Sequence, residues 1–218
     1  MTDPTDPIAS AGLVTREIRT GERDGEPTKV LVARRAYRAD QADVWDALTS
    51  AERLPRWFLP VSGDLEVGGR YQFEGNAGGV VERCDAPDSL AVTWEFGGGM
   101  SWLEVRLSKL EGGTSLELVH EAPVDPEMWR QFGPGAVGVG WDGAIHGLGV
   151  HLATGVPLDP AAFEAFMVSP EGVAYARLLA GAWAEAAIAD GDDPEAAQAA
   201  AEAVVGFYTT LPEESPEA

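Results

Sequence analysis

Acid–base chemistry in this sequence would have to come from few side chains, because the 218 residues include only three histidines, His120, His146 and His151. Asp142 and His146 stand four positions apart, so on a helix the carboxylate could orient the imidazole. The plainer interpretation is a surface pair on a helix flank, which is the commoner case. His120 falls on the apolar face of an alternating segment, where it is either a hydrogen-bonded core histidine or a ligand contact.

Metal-binding and nucleophile motifs are absent from the sequence. His146 and His151 diverge by about 140° on a helix and cannot share a metal ion. H-E-x-x-H, C-x-x-C and G-x-S-x-G do not occur, and the single cysteine, Cys84, has no neighbouring histidine. Residues 138–143 match G-x-G-x-x-G, but a meander rather than a parallel strand is predicted before them. We expect no metal, no cofactor and no nucleophilic catalysis.

Aromatic and apolar side chains are the main positive signal for function. The plain interpretation is that they form the core, but where a sheet curls around a helix the core and a pocket share the same walls. A wholly apolar ligand that buries about 300 Å² gains about 7 kcal/mol, of which association consumes at least about 4 kcal/mol. Useful affinity therefore needs polar anchors, and His120, Tyr71 and Asp142 are the candidates. The predicted ligand-binding residues are Trp57, Phe58, Tyr71, Phe73, Trp94, Phe96, His120, Trp141, Asp142, Ile145 and Leu148.

Strands are the first elements that would position these side chains. Strands are predicted at residues 13–20, 28–38, 65–73, 78–84, 90–96, 103–107 and 116–120. Most of these segments alternate apolar and polar residues, and short glycine-containing turns separate them. A period of two with one apolar face predicts an antiparallel meander that is solvated on one side.

Helices are predicted on both sides of this meander. Asp40 is the expected N-cap of one helix, and a second short helix is expected to run through Phe58 and end at Pro60. After residue 133, Trp141 and Ile145 belong to an apolar stripe at helical spacing that predicts one long helix. Its glycines disfavour a helix by about 1 kcal/mol each, so close packing or room for a ligand must account for them. A cap residue followed by proline predicts three further helices at 160–168, 170–190 and 194–210.

Several segments between residues 28 and 155 carry a family resemblance. They are Arg35–Tyr37, Val44–Thr49, Glu52–Phe58, Val67–Tyr71, Pro87–Trp94, Gly113–His120 and Gly140–Gly143. With these segments the chain resembles the SRPBCC (START-like, Bet v 1-like) superfamily, in the branch named after the activator of Hsp90 ATPase. The resemblance implies an α+β helix-grip fold, in which a curled antiparallel sheet surrounds a long helix.

The domain organisation follows from this resemblance. We expect a flexible tail at residues 1–12, a helix-grip domain at 13–157 and an acidic, alanine-rich helical extension at 158–218. The extension lies beyond the common domain, so the resemblance implies nothing about its role.

Composition limits the classes of partner. The chain carries 36 acidic and 15 basic residues and a net charge of −21. Such a charge repels nucleic acids and anionic membranes, and no uninterrupted apolar segment has the length of a membrane span. A single cysteine and an N-terminus without a signal-peptide pattern indicate a cytoplasmic protein.

Three functions remain open at this stage. The leading hypothesis is non-catalytic binding of a small hydrophobic molecule between the sheet and the long helix. The second is a protein-interaction or co-chaperone-like module of the Hsp90 ATPase activator type, with a partner or a homodimer contact through residues 158–218. An exposed apolar stripe formed by Phe163, Phe166, Trp183 and Phe207 would favour it. The third is an enzyme of the cyclase- or hydrolase-like kind, by analogy of fold alone.

Overall fold

The computed structural model describes residues 5–210, which form one eight-stranded antiparallel sheet and seven α-helices. The strands are β1 (Thr15–Arg23), β2 (Glu26–Tyr37), β3 (Val61–Gly63), β4 (Arg70–Phe73), β5 (Gly78–Asp85), β6 (Ser89–Phe96), β7 (Gly99–Leu110) and β8 (Gly113–Pro123). Their spatial order is β1-β2-β8-β7-β6-β5-β4-β3, so β3 to β8 form a meander and β8 returns to pair with β2. The curled sheet is not closed, and its concave face holds the core.

The helices surround this sheet in two groups. They are α1 (Pro7–Ala11), α2 (Gln41–Thr49), α3 (Pro126–Phe132), α4 (Gly135–Thr154), α5 (Pro160–Met167), α6 (Pro170–Asp190) and α7 (Pro194–Thr209). The long helix α4 lies between the concave face of the sheet and α6, and α6 also packs on β1. The predicted α+β helix-grip fold with a C-terminal helical extension is therefore confirmed.

The three C-terminal helices begin where the proline signals place them. The side chains of Asp159, Ser169 and Asp193 each accept a hydrogen bond from a backbone N–H in the first turn of their helix. Each cap precedes a proline whose missing N–H would have had no partner at that position. This local chemistry explains why the sequence predicts these starts to the residue.

Other segments differ from the prediction for physical reasons. Residues 65–69, predicted as part of a strand, belong to the turn between β3 and β4, because Gly68 adopts a positive φ of 86°. The expected second short helix is only a 3-10 turn at Leu54–Arg56, which contains a proline. Asp40 precedes α2 but makes no side-chain capping bond. Helix α3 occupies a segment for which no helix was predicted.

Residues 5–12 belong to the segment predicted as a flexible tail, and residues 1–4 of that segment lie outside the described residues. Asp6 caps the short helix α1, whose Ser10 and Ala11 are buried. The Ser10 hydroxyl accepts a hydrogen bond from the guanidinium of buried Arg35 at 2.8 Å. Helix α1 therefore covers a polar group that the sheet would otherwise expose.

Close packing explains the glycines of α4. A Cβ on Gly138 would lie 2.3 Å from the Trp183 indole, and one on Gly149 would lie 2.6 Å from the Arg35 guanidinium. These neighbours lie on the sides of α4 away from the cavity described below. The helix lacks side chains at these positions because the adjacent elements already fill the space.

Candidate ligand-binding site

A cavity of about 240 Å³ lies between the concave face of the sheet and α4, and we call it the inner cavity. Its walls are almost entirely apolar. They consist of Trp45, Leu48, Thr49, Leu54, Trp57, Phe58, Val61, Leu65, Tyr71, Phe73, Val81, Cys84, Leu90, Val92, Trp94, Leu103, Val105, Leu116, Leu118, Trp141, Ala144, Ile145 and Leu148. The inward residues of the fold thus leave space that they do not fill.

The regular elements explain why these side chains converge. Trp141, Ala144, Ile145 and Leu148 recur at helical spacing on α4, so one stripe of the helix faces the sheet. On the strands, the inward-facing residues alternate with outward-facing ones, as in Leu116 and Leu118 of β8. Helix α2 closes a third side with its own apolar residues.

Three aromatic rings, those of Phe58, Trp94 and Trp141, form one wall of the inner cavity, and we call them the aromatic partition. The ring centroids of Trp94 and Trp141 are 5.0 Å apart, and those of Phe58 and Trp141 are 6.4 Å apart with nearly parallel planes. Phe73 contacts both Phe58 and Trp94 edge-on or tilted. These spacings are typical of rings in direct contact.

Beyond the aromatic partition lies a larger and more open depression of about 770 Å³, which we call the outer groove. It is lined by Phe58, Asn76, Trp94, Phe96, Gly99, Met100, Ser101, His120, Ala122, Pro123, Val124, Asp125, Ala136, Val137, Gly140, Trp141, Phe207 and Tyr208. Its walls come from the sheet, from α4 and from the C-terminal helix α7. The outer groove is therefore built jointly by the helix-grip core and the extension.

His120 is held in a defined hydrogen-bond chain at the edge of the outer groove. The Trp141 indole N–H donates to His120 Nδ1 at 2.8 Å, so the proton of the neutral imidazole is on Nε2. Nε2 lies 2.7 Å from Ser101 Oγ and donates to it, and the Ser101 hydroxyl donates to the Trp94 carbonyl at 3.1 Å. Every polar atom in this chain is thereby engaged.

These hydrogen bonds limit the acid–base chemistry that His120 can perform. Burial lowers the pKa of His120 to about 4, so the ring is neutral at pH 7. Neither nitrogen has a free lone pair for a substrate proton, and the Ser101 hydroxyl proton is committed to a backbone oxygen. The arrangement orients the Trp141 indole and offers no free acid or base.

Asp142 and His146 do not form the pair that their spacing suggests. Asp142 lies on the opposite side of α4 from the cavity, where both carboxylate oxygens accept hydrogen bonds from Arg16 and one also accepts from the Trp183 indole. His146 is buried, and its Nδ1 has no hydrogen-bond partner among the described residues. Burial and the nearby Arg35 guanidinium lower the pKa of His146 to about 4.

The polar groups of the inner cavity are satisfied within the protein. The Tyr71 hydroxyl donates to the Thr93 carbonyl at 2.7 Å, and the Thr49 hydroxyl donates to the Trp45 carbonyl at 2.8 Å. The lining side chains also carry the thiol of Cys84, which is exposed, and four indole N–H groups, of which that of Trp57 donates to the Ala47 carbonyl and that of Trp141 donates to His120. None of the three predicted anchors therefore presents a free polar atom to this space.

The structure divides the predicted ligand-binding residues into three groups. Those that line the inner cavity are Trp57, Phe58, Tyr71, Phe73, Trp94, Trp141, Ile145 and Leu148. Phe96 and His120 line the outer groove instead, and Phe96 is exposed rather than inward, because β6 ends there at a glycine turn. Asp142 lines neither space, because it lies on the opposite side of α4.

The prediction missed several residues of the cavity wall. Trp45 and Leu48 share a helical stripe on α2, and Ala144 lies between Trp141 and Ile145 in sequence on the cavity side of α4. The helical periodicity of these segments contained that information, but a small alanine carries little signal alone. Phe207 and Tyr208 could not be found from sequence, since no local pattern connects α7 to this groove.

Other kinds of site find little support in residues 5–210. No group of three or more histidine, cysteine, aspartate or glutamate side chains lies close enough to hold a metal ion there. No helix within that range combines the length and the apolar character needed to cross a membrane.

Residues 38–153, more than half of the chain, match the family model described as Activator of Hsp90 ATPase homolog 1-like protein. The chain belongs to this family. A comparison with curated proteins gave no match.

Solved structures agree with the family assignment. The solution structure of CalU16 from Micromonospora echinospora is 32% identical and covers 82% of this chain and 97% of its own, with a TM-score of 0.69. The crystal structure of CalU16 is 30% identical over 79% of this chain and 97% of its own, with a TM-score of 0.64. EF2215 from Enterococcus faecalis, at 17% identity, covers 81% of this chain and 92% of its own with a TM-score of 0.57, which shows the same fold.

Proposed function

We propose that this protein binds a small apolar molecule in the inner cavity and does not transform it. The observation that carries the proposal is the unfilled apolar volume of about 240 Å³ inside an otherwise close-packed core. A ligand that fills this space would make apolar contacts that the protein alone does not make there.

The volume sets the size of the ligand. A cavity of about 150 Å³ accommodates benzene, so by proportion the inner cavity accommodates about ten heavy atoms, as in indole or naphthalene. Without an anchor from Tyr71, His120 or Asp142, the burial of about 300 Å² leaves about 3 kcal/mol after the cost of association. We therefore expect a dissociation constant in the millimolar range for a ligand of this size.

The hydrogen-bond chain of His120 supports binding rather than catalysis. Its two ring nitrogens are occupied by Trp141 and Ser101, and its low pKa keeps it neutral. The other candidate acid, Asp142, is paired with Arg16 on the far side of α4. An enzyme of the cyclase- or hydrolase-like kind would need a free acid or base at the ligand, and these residues do not supply one.

The second candidate is a protein-interaction module, since the family fold is compatible in general with a ligand-binding or an Hsp90-activator-like module. The expected apolar stripe on the extension, however, is not a continuous exposed surface. Trp183 is buried against α4, Phe163 and Phe166 are half-buried, and only Phe207 of the four is fully exposed. This arrangement favours packing of the extension onto the core over a partner surface, and a cytoplasmic location is proposed with either function.

A titration with indole tests the proposal. We expect saturation-transfer NMR to show binding of indole to the wild-type protein at millimolar concentration. Ala144→Leu places three extra carbons in the inner cavity and should abolish the signal. Ala189→Leu makes the same chemical change on the exposed surface of α6 and should leave the signal unchanged. An equal signal from the wild type and Ala144→Leu, or no signal from the wild type, would refute the proposal.

A further inference from the structure

The inner cavity and the outer groove share the aromatic partition as a common wall. From this shared wall we infer that the two spaces are halves of one ligand site. The outer groove would bind the cationic end of an elongated aromatic amine. The inference rests on the proposed function, because the aromatic end of the same molecule would occupy the inner cavity. It also explains how a site with weak apolar affinity could bind its ligand well.

One member of the aromatic partition lies outside the helices and strands. Trp141 is anchored on α4 and its indole is held by His120, and Trp94 is anchored in β6. Phe58 belongs to the irregular segment between the 3-10 turn and β3, and it is half-buried. Rotation of the Phe58 ring would join the two spaces without disturbing a regular element.

The outer groove has the chemistry of a site for a cation. Of the described residues that line it, Asp125 carries the only charge at pH 7. Asp125 Oδ1 accepts both capping bonds of α3, from the backbone N–H groups of Glu127 and Met128, so Oδ2 is the oxygen that a ligand ammonium would reach. The exposed rings of Phe96 and Phe207 offer cation–π contacts nearby, and the net charge of −21 attracts cations to the protein.

The extension completes this half of the site. The Tyr208 hydroxyl donates to the Ala136 carbonyl at 2.8 Å, which fastens the end of α7 to the first turn of α4. Phe207, next to Tyr208, is 63% exposed and contacts Phe132 of α3. Phe207 thereby adds an exposed apolar ring to the rim of the outer groove.

Three matched probes test the inference by isothermal titration calorimetry. Each has a 2-naphthyl ring on a six-carbon chain, which ends in an ammonium, a hydroxyl or a carboxylate. We expect the wild-type protein to bind the amine at least tenfold more tightly than the carboxylate, with the alcohol between them. Asp125→Asn, which keeps an N-cap for α3, should reduce the preference for the amine over the alcohol to less than twofold.

Variants on each side of the partition separate this inference from the proposed function. Phe207→Ser should weaken the amine at least fivefold and leave indole within twofold, whereas Leu178→Ser, a comparable change on the exposed surface of α6, should affect neither. Ala144→Leu should abolish binding of both the amine and indole.

The possible failures are distinguishable. If Phe207→Ser and Asp125→Asn leave the amine unchanged while Ala144→Leu abolishes indole binding, the inner cavity binds alone and this inference is wrong. Amine binding that survives Ala144→Leu would place the amine in the groove without the cavity and would also refute it. If Ala144→Leu leaves indole binding intact as well, the proposed function fails together with the inference.

Discussion

The cavity side and the opposite side of α4 are packed in contrasting ways. Towards the sheet, large side chains such as Trp141 and Leu148 still leave about 240 Å³ unfilled. On the opposite side, Gly138 meets Trp183 so closely that not even a methyl group fits between them. One helix therefore has a loosely packed surface and a tightly packed one. The difference teaches that the cavity is a local property of one surface and does not reflect poor packing throughout the protein.

The polar groups on the two sides of α4 also differ, because the cavity side has a neutral histidine and the opposite side has a charged pair. On the cavity side, His120 is neutral and bonded to the Trp141 indole. On the opposite side, Asp142 forms an ion pair with Arg16 at 2.8 Å, with side chains that are 1% and 7% exposed respectively. A buried ion pair is stable only while both charges are present, so removal of either partner should destabilise the fold. The tightly packed side thus holds α4 in position, while the cavity side leaves space unfilled.

The largest effect is expected from breaking the buried ion pair. Asp142→Asn leaves the Arg16 guanidinium without its counter-charge and should lower the free energy of unfolding by about 3–5 kcal/mol, measured by urea denaturation. Glu17→Gln removes an exposed partner of Arg19 and should cost less than about 1 kcal/mol. Equal losses in the two variants would show that the opposite side of α4 is not the rigid one.

The next largest effect is the loss of stability in acid. His120 on the cavity side and His146 on the opposite side both have a pKa of about 4, below the ordinary value of 6.5. Because the unfolded chain then binds more protons than the folded one between these values, stability falls as the pH is lowered. Each histidine should contribute a loss of about 2 kcal/mol between pH 7 and pH 5.

Single variants assign this acid sensitivity to the two sides. His120→Gln and His146→Gln should each remove about 2 kcal/mol of the loss measured by urea denaturation at pH 7 and pH 5. Burial also lowers the pKa of His151, so a smaller loss should persist when both are replaced. Glu17, whose pKa the adjacent Arg19 and Arg34 lower to about 2, stays ionised over this range. Burial raises the pKa of Asp142, which acts in the opposite sense. A wild-type stability that does not change between pH 7 and pH 5 would contradict the prediction.

A smaller effect is expected from adding one methyl group to the tightly packed side. Gly138→Ala should destabilise the protein by about 1–3 kcal/mol, because overpacking against Trp183 outweighs the better helix propensity of alanine. Gly181→Ala in α6, where a Cβ would meet nothing within 4 Å, should instead stabilise by up to about 1 kcal/mol. Thermal unfolding of the two variants compares them directly, and a stabilised Gly138→Ala would refute the contrast between the sides.

The smallest effect on stability is expected for filling the cavity side. Ala144→Leu adds three carbons to α4, yet the free energy of unfolding should change by less than about 1 kcal/mol, because the inner cavity has room for them. The same urea denaturation measures it. A loss as large as that of Gly138→Ala would mean that the inner cavity is not free to accept added atoms.

Features that depend on neighbouring residues were predicted from the sequence, and features that depend on distant residues were not. The starts of α5, α6 and α7 were predicted because each depends on one capping side chain and the proline beside it. Residues 65–69 alternated like a strand, but a positive φ at Gly68 turns the chain there, and alternation cannot detect that. Asp142 and His146 had the spacing of a pair, yet the partner of Asp142 is Arg16, 126 residues away.

The amino-acid sequence by itself determined the α+β class, the meander, the long helix and the apolar character of the space between them. These follow from periodicity and capping, which act over a few residues. Only the tertiary structure decided that the inward residues leave a cavity, that His120 holds Trp141, and that Phe207 of the extension reaches the outer groove. Such features depend on how distant surfaces fit together, and the shape of that fit is not encoded in any local pattern.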